Sequence, residues 1–140
     1  MLFRLIYASR AKASAATDLP EILEWSRAHN PGLGITGTLC LLDGTYIEHH
    51  EGEELVVKTL FENIRHDPRH SQVTMLDQRF ILRRAYPEWS LALKVWNDRT
   101  KAIFRSFSPG QNLDVYASDP STAAPLVRAL TRPDDWDFCA

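Results

Sequence analysis

The chain has 140 residues, the size of one domain on a scale of roughly 150 residues per domain. Its composition, 44% hydrophobic and 24% charged, is that of an ordinary globular protein and excludes collagen-like, coiled-coil and disordered classes. Sixteen basic against eighteen acidic residues leave a net charge of −2, so there is no cationic excess to neutralise nucleic-acid phosphates. The apolar stretch within MLFRLIYASR (1–10) is too short for the core of a secretory signal. No run approaches the ~18 apolar residues that span a bilayer. Cys40 and Cys139 lie far apart in the chain and match neither a disulfide framework nor a metal-ligand spacing. These features predict a soluble cytoplasmic protein with reduced thiols and neither a membrane nor a nucleic-acid partner.

In chain order, Leu2 to Ser9 is rich in aliphatic and aromatic β-formers and predicts a buried strand. AKASAAT (11–17) has no period and predicts a loop. Thr17 or Asp18 can cap a helix over residues 18–29, with Pro20 in its first turn. Leu19, Ile22, Leu23 and Ser26 share one face of it, and Asn30-Pro31-Gly32 is expected to end it. Gly34 to Leu42 predicts a second strand, Asp43-Gly44 a hairpin turn and Tyr46 to Glu51 the returning strand, broken at Gly52. Glu53 to His66 predicts a second helix, apolar at Leu55, Val56, Leu60, Phe61 and Ile64, closed by Asp67-Pro68. Val73 to Arg83 and Trp89 to Trp96 predict two more strands joined around Tyr86-Pro87. Short helices are expected near Lys101 to Phe107 and Ser121 to Leu130, separated by a Pro/Gly/Ser-rich link. The order β-α-β-β-α-β-β is that of an α+β, ferredoxin-like sheet with both core helices on one face. Residues 1–96 then form the core, and 97–140 a helical extension that caps the other face.

Such a sheet leaves a crevice between its helices and the strand ends, a usual place for a flat ligand. Strand parity turns Tyr46, Glu48 and His50 to one face and Ile47, His49 and Glu51 to the other. The run Glu48-His49-His50-Glu51 is therefore split between faces, which weakens a metal reading, and no HExxH spacing is present. Polar residues at a solvated strand end are the plainer reading of that run. Tyr7 is open to the reading of a core aromatic, and Asn30 to that of a helix C-cap. The chain shows no Ser/His/Asp triad, P-loop or GxGxxG motif.

Six segments together resemble the BLUF family, the blue-light sensors that hold FAD. They are LIYASRA (5–11), ILEWSRAHN (22–30), GITG (34–37), GTYIEHHEG (44–52), IRHDPRH (64–70) and RRAYPEWS (83–90). They occur in family order over Leu2 to Trp96. The resemblance implies a flavin ring between the two helices and C-terminal helices on the far sheet face. It implies that Tyr7 donates an electron to the excited flavin, and that Asn30 holds the flavin's polar edge. Ile22 and Ile64 match the aliphatic pair that sandwiches the ring, Ser26 a helix serine near the site, and Trp89 a tryptophan that relays the switch. His29 and Asn63 stand where an asparagine and an arginine often steady the flavin's edge. Homo-oligomers and a downstream signalling partner are implied, and FMN or riboflavin are alternatives to FAD.

The position of the family's bridging glutamine holds Glu48, and His50 stands where an apolar residue is usual. Leu91 replaces a frequent methionine and Tyr86 a frequent phenylalanine. Flipping an amide exchanges donor for acceptor, whereas an ionised carboxylate only accepts. A weak or absent light-induced red shift, restored by Glu48→Gln, is therefore expected. Burial would favour a protonated Glu48 that could still bridge, and a His50 ion pair would oppose it. The chain reads as a non-enzymatic light sensor. The alternatives are a flavin-free interaction module of the same fold, and an acid–base enzyme built on Glu48 and His50.

Overall fold

A computed structural model describes residues 1–12, 14–42, 44–87, 91–95, 97–107 and 123–130. The elements are β1 (Leu2–Ala11), α1 (Ala15–Leu33), β2 (Thr36–Leu42), β3 (Thr45–Glu53), α2 (Glu54–Arg65), β4 (His70–Phe80), β5 (Ala92–Val95), α3 (Asp98–Phe107) and α4 (Ala123–Leu130). The five-stranded sheet has the order β4-β1-β3-β2-β5. β3 lies antiparallel between β1 and β2, so β1-α1-β2 is a split crossover unit. β5 adds to the edge, parallel to β2. This is the expected α+β ferredoxin-like architecture.

Strand alternation sorts the core into two layers. On one face Phe3, Leu5 and Tyr7 pack against Val57, Leu60 and Phe61 of α2, while Leu39, Tyr46, Leu91 and Leu93 pack against Ile22 and Leu23 of α1. On the other face Ile6, Ala8, Cys40, Leu42 and Ile47 are covered by Phe104 of α3 and Leu126, Val127 and Leu130 of α4.

Several boundaries depart from the sequence expectation. α1 begins at Ala15, not 18, because the Ser14 carbonyl accepts the N–H groups of Thr17 and Asp18, both at 2.9 Å. The Ser14 hydroxyl in turn donates to Asp18 at 2.7 Å, so Asp18 supports the first turn without capping it. Pro20 consequently lies one turn further in than predicted. α1 also runs through Pro31 to Leu33. Its end is set by Gly34 at φ 68°, whose N–H bonds the Pro31 carbonyl while that of Ile35 bonds Asn30, the Schellman arrangement. Asn30 is therefore in the last turn and is not the cap.

Gly52 continues β3 opposite Phe3 and does not break it. β2 starts at Thr36 and β4 spans His70–Phe80, earlier than the predicted 73–83. In α2 the buried stripe is Val57, Leu60 and Phe61, while Leu55 faces outward. α3 begins at Asp98, three residues before its predicted start. Asp43, Trp89, Trp96 and Cys139 lie outside the described residues. No described helix is long and apolar enough to cross a membrane.

Candidate functional site

The two core helices part above the sheet and leave a cavity of about 220 Å³. One wall is Ile22, Trp25 and Ser26 of α1, spaced three and four residues apart on one helical face. The other is Leu60, Asn63 and Ile64 of α2, related in the same way. Glu48 and His50, two residues apart on β3, form the floor, and Asp67, Arg69 and His70 close one end. Six predicted site residues thus meet here: Ile22, Ser26, Glu48, His50, Asn63 and Ile64.

Tyr7 lies beside this floor, on the same sheet face and against α2. It pairs directly with Glu48 across β1 and β3, where cross-strand Cβ atoms stand about 5 Å apart. The β1–β4 pairing shifts register on each side of the Tyr7–Ala8 pair, and such bulges re-aim side chains. The Tyr7 ring is fully buried, 5.4 Å from Phe61 and 5.9 Å from His50 between centroids. Its hydroxyl has no well-formed hydrogen bond among the described residues. Burial, then the negative charge of Glu48 beside it, pushes the phenol well above its ordinary pKa.

Glu48 is buried, and its Oε2 lies 2.8 Å from Nε2 of His50. Burial pushes the carboxyl up, but the hydrogen bond and charge of His50, followed by the charge of His70, bring it below the ordinary glutamate value. The histidine contacts thus prevail over desolvation at Glu48. His70 shares a 2.8 Å hydrogen bond with the Ser9 hydroxyl through Nδ1. Tyr46 is also buried, with its hydroxyl unpartnered among the described residues. Burial, then Asp18 and Glu48, raises its pKa.

Among the described residues, His29 and Asn30 lie apart from the cavity lining. His29 stacks on Trp25 at the outer surface of α1, with centroids 4.3 Å apart, and its Nδ1 is 2.8 Å from the Trp25 carbonyl. Asn30 is buried in the last turn of α1. Trp89 falls outside the described residues. Trp25, Leu60, Asp67, Arg69 and His70 line the cavity without having been singled out. Trp25 follows Ile22 by three residues and Leu60 precedes Ile64 by four, a helical spacing that marks both. No comparable local period marks Asp67, Arg69 and His70.

The Glu48–Glu51 run is buried throughout and is no solvated strand end. Its second half forms another pair on the opposite face, His49 Nε2 to Glu51 Oε1 at 3.0 Å. Glu51 also accepts the N–H groups of Ala85 at 2.8 Å and Tyr86 at 3.2 Å. The Tyr86 ring meets His49 edge-on at 5.0 Å. Arg84 completes this clamp by donating to the Gly34 carbonyl at 2.7 Å, Thr36 Oγ1 at 2.8 Å and the Glu51 carbonyl at 3.0 Å. The segment leading toward β5 is thereby tied to β3 and to the end of α1. Among the described residues no three His, Cys, Asp or Glu side chains converge as a metal site.

A ferredoxin-like sheet with a slot between its two core helices, floored by a polar strand with a buried phenol beside it, is the architecture of a domain that can hold a flat ligand. Residues 2–92 match the BLUF family, described as sensors of blue-light using FAD. The chain is 33% identical over 114 residues to the photoactivated adenylate cyclase subunit beta of Euglena longa, a match covering 80% of this chain and 13% of that protein. The Euglena gracilis subunit beta is 32% identical over the same shares. The chain therefore spans about an eighth of these curated relatives' length. Among solved structures, BlsA in its ground state superposes with a TM-score of 0.84 at 27% identity, over 93% of this chain and 87% of that one. The BLUF protein BlrB in its dark state gives 0.75 at 31% identity, over 91% and 93%. The chain belongs to the BLUF family of flavin-binding blue-light sensors.

The slot suits a flavin ring on its own features. Aliphatic Ile22 and Ile64 stand on its two walls, Ser26 and Asn63 offer polar groups to a heterocycle's edge, and buried unpartnered polar atoms lie at its floor.

Proposed function

We propose that this chain holds FAD, with the ring in the slot and the rest of the dinucleotide leaving past Trp25 and Arg69. A bound flavin supplies the chromophore and, once excited, an electron acceptor. Ile22 and Ile64 press on the ring's faces. Ser26 and Asn63, with Asn30 behind them, meet its polar edge, and Tyr7 is the electron donor beneath it. The observation that carries this reading is the Tyr7–Glu48 cross-strand pair directly under a slot walled by Ile22 and Ile64.

The chain acts as a sensor with no catalysis of its own, in the cytoplasm, through contacts with a downstream signalling protein and with further copies of itself. The sheet face turned away from the two core helices carries α3 and α4, so a contact between copies through that side would engage those helices. The test is an absorption spectrum of the purified protein after reconstitution with FAD. Flavin bands shifted from those of free FAD support the proposal.

A second reading, a flavin-free interaction module, draws on the modest cavity, below the ~300–1,000 Å³ usual for ligand sites, and on the Glu48–His50 contact, which gives one carboxylate oxygen a partner without a ligand. Protein that stays colourless after reconstitution would decide for it.

A further inference from the structure

A phenol that gives up an electron becomes a strong acid and must lose its proton to a group already within reach. Tyr7 is sealed from solvent, and the group its hydroxyl interacts with is the Glu48 carboxylate, without a well-formed hydrogen bond in the resting geometry. Glu48 is its direct cross-strand neighbour. One oxygen of that carboxylate is held by His50 at 2.8 Å. The acceptor-only character that prevents a carboxylate from imitating a flipping amide makes it a good base.

We propose that Glu48 is the proton acceptor of Tyr7, and that His50, 2.8 Å from its Oε2, is the positioning residue that fixes the carboxylate. The inference rests on flavin binding in the slot. Tyr7 loses one electron to the excited isoalloxazine ring, its O–H bond breaks, and a new O–H bond forms on Glu48. Tyr7 is left as a neutral radical and Glu48 as a carboxylic acid. Return of the electron and of the proton restores phenol and carboxylate, so the cycle consumes nothing.

The groups around Glu48 agree with this assignment. His50 and Tyr46 flank it on β3, Tyr7 faces it from β1, His70 approaches from β4, and Asp67 and Arg69 lie at the end of the cavity. His70 has its Nδ1 engaged with Ser9, which leaves it to act on Glu48 by charge. Against the cost of burial, His50 and His70 together hold the carboxyl below its ordinary pKa.

The test has a flavin-free and a flavin-bound arm. In flavin-free protein, carboxyl ¹³C resonances assigned with Glu48→Gln should show Glu48 ionised at neutral pH, and His50→Leu should move its titration upward. Should His50→Leu fail to fold, His50→Gln, which keeps a donor without the imidazole, should move it in the same direction. In protein carrying FAD, light-minus-dark infrared spectra should show a new carboxylic-acid C=O band rising with the Tyr7 radical, and Glu48→Gln should lose that band. A protonated Glu48 in the dark, or a radical with no acid band, would overturn the assignment while leaving the sensor reading intact. Protein that remains colourless would overturn both.

Discussion

At position 48 the chain carries a carboxylate opposite the Tyr7 phenol, held on one side by His50. Its accept-only chemistry opposes the donor–acceptor reversal that an amide performs. The light-induced red shift of flavin-loaded protein should therefore be small, and Glu48→Gln should enlarge it, as read from light-minus-dark absorption. A full shift in the unmodified protein would show that the amide is dispensable. This residue-scale conflict was legible in the sequence through the family resemblance, which puts Glu48 at the glutamine position, while strand parity turns Glu48 and His50 to one face. The 2.8 Å contact between them was not, since rotamers depend on what packs around them.

The elements holding the site are set by close backbone approaches. A Cβ at Gly37 would collide with the His49 carbonyl on the neighbouring strand. Gly37 pairs with His50 and so sits beside the floor of the slot. Gly37→Ala should cost about 1–3 kcal/mol, the usual penalty of overpacking, measured by urea denaturation. At the end of α1, Gly34 has positive φ, where a side chain is disfavoured by about 1–2 kcal/mol. The sequence marked this helix by its apolar spacing but placed both ends too far inward. Proline propensity predicts termination at Asn30-Pro31, yet a proline in the last turn forfeits only one hydrogen bond, and the Schellman closure at Gly34 satisfies the final carbonyls.

Across the whole molecule, the two faces of the sheet depend on each other through β3. Glu48 and Glu51 both have pKa values below the ordinary range. Burial raises each, but the paired histidine outweighs it, with the Ala85 and Tyr86 amides adding to the effect on Glu51. His49 is also lowered, first by burial. In all three cases the unfolded chain binds more protons than the folded one, so stability rises with pH. On acidification the melting temperature should fall first through the histidine range, as unfolded His49 takes a proton. It should fall again as the folded pKa values of the two glutamates are passed. Calorimetry across that range checks it, and Glu51→Gln should flatten the lower limb. On the far face, Leu126 is almost wholly buried against the sheet. Leu126→Ala should cost about 2–5 kcal/mol of folding stability, which would show that the C-terminal helices are part of the fold.

The sequence alone determined the order of elements, the split of β3 between two faces and the family, because apolar periodicity and short motifs are local properties of a chain. Tertiary structure decided which polar residues meet. It turned His29 outward onto Trp25, brought Asp67, Arg69 and His70 to the end of the cavity, and buried the whole Glu48–Glu51 run. It also joined Arg84 to the end of α1 across fifty positions of chain. Those outcomes depend on which elements pack side by side and how much water they exclude, and no local pattern carries that information.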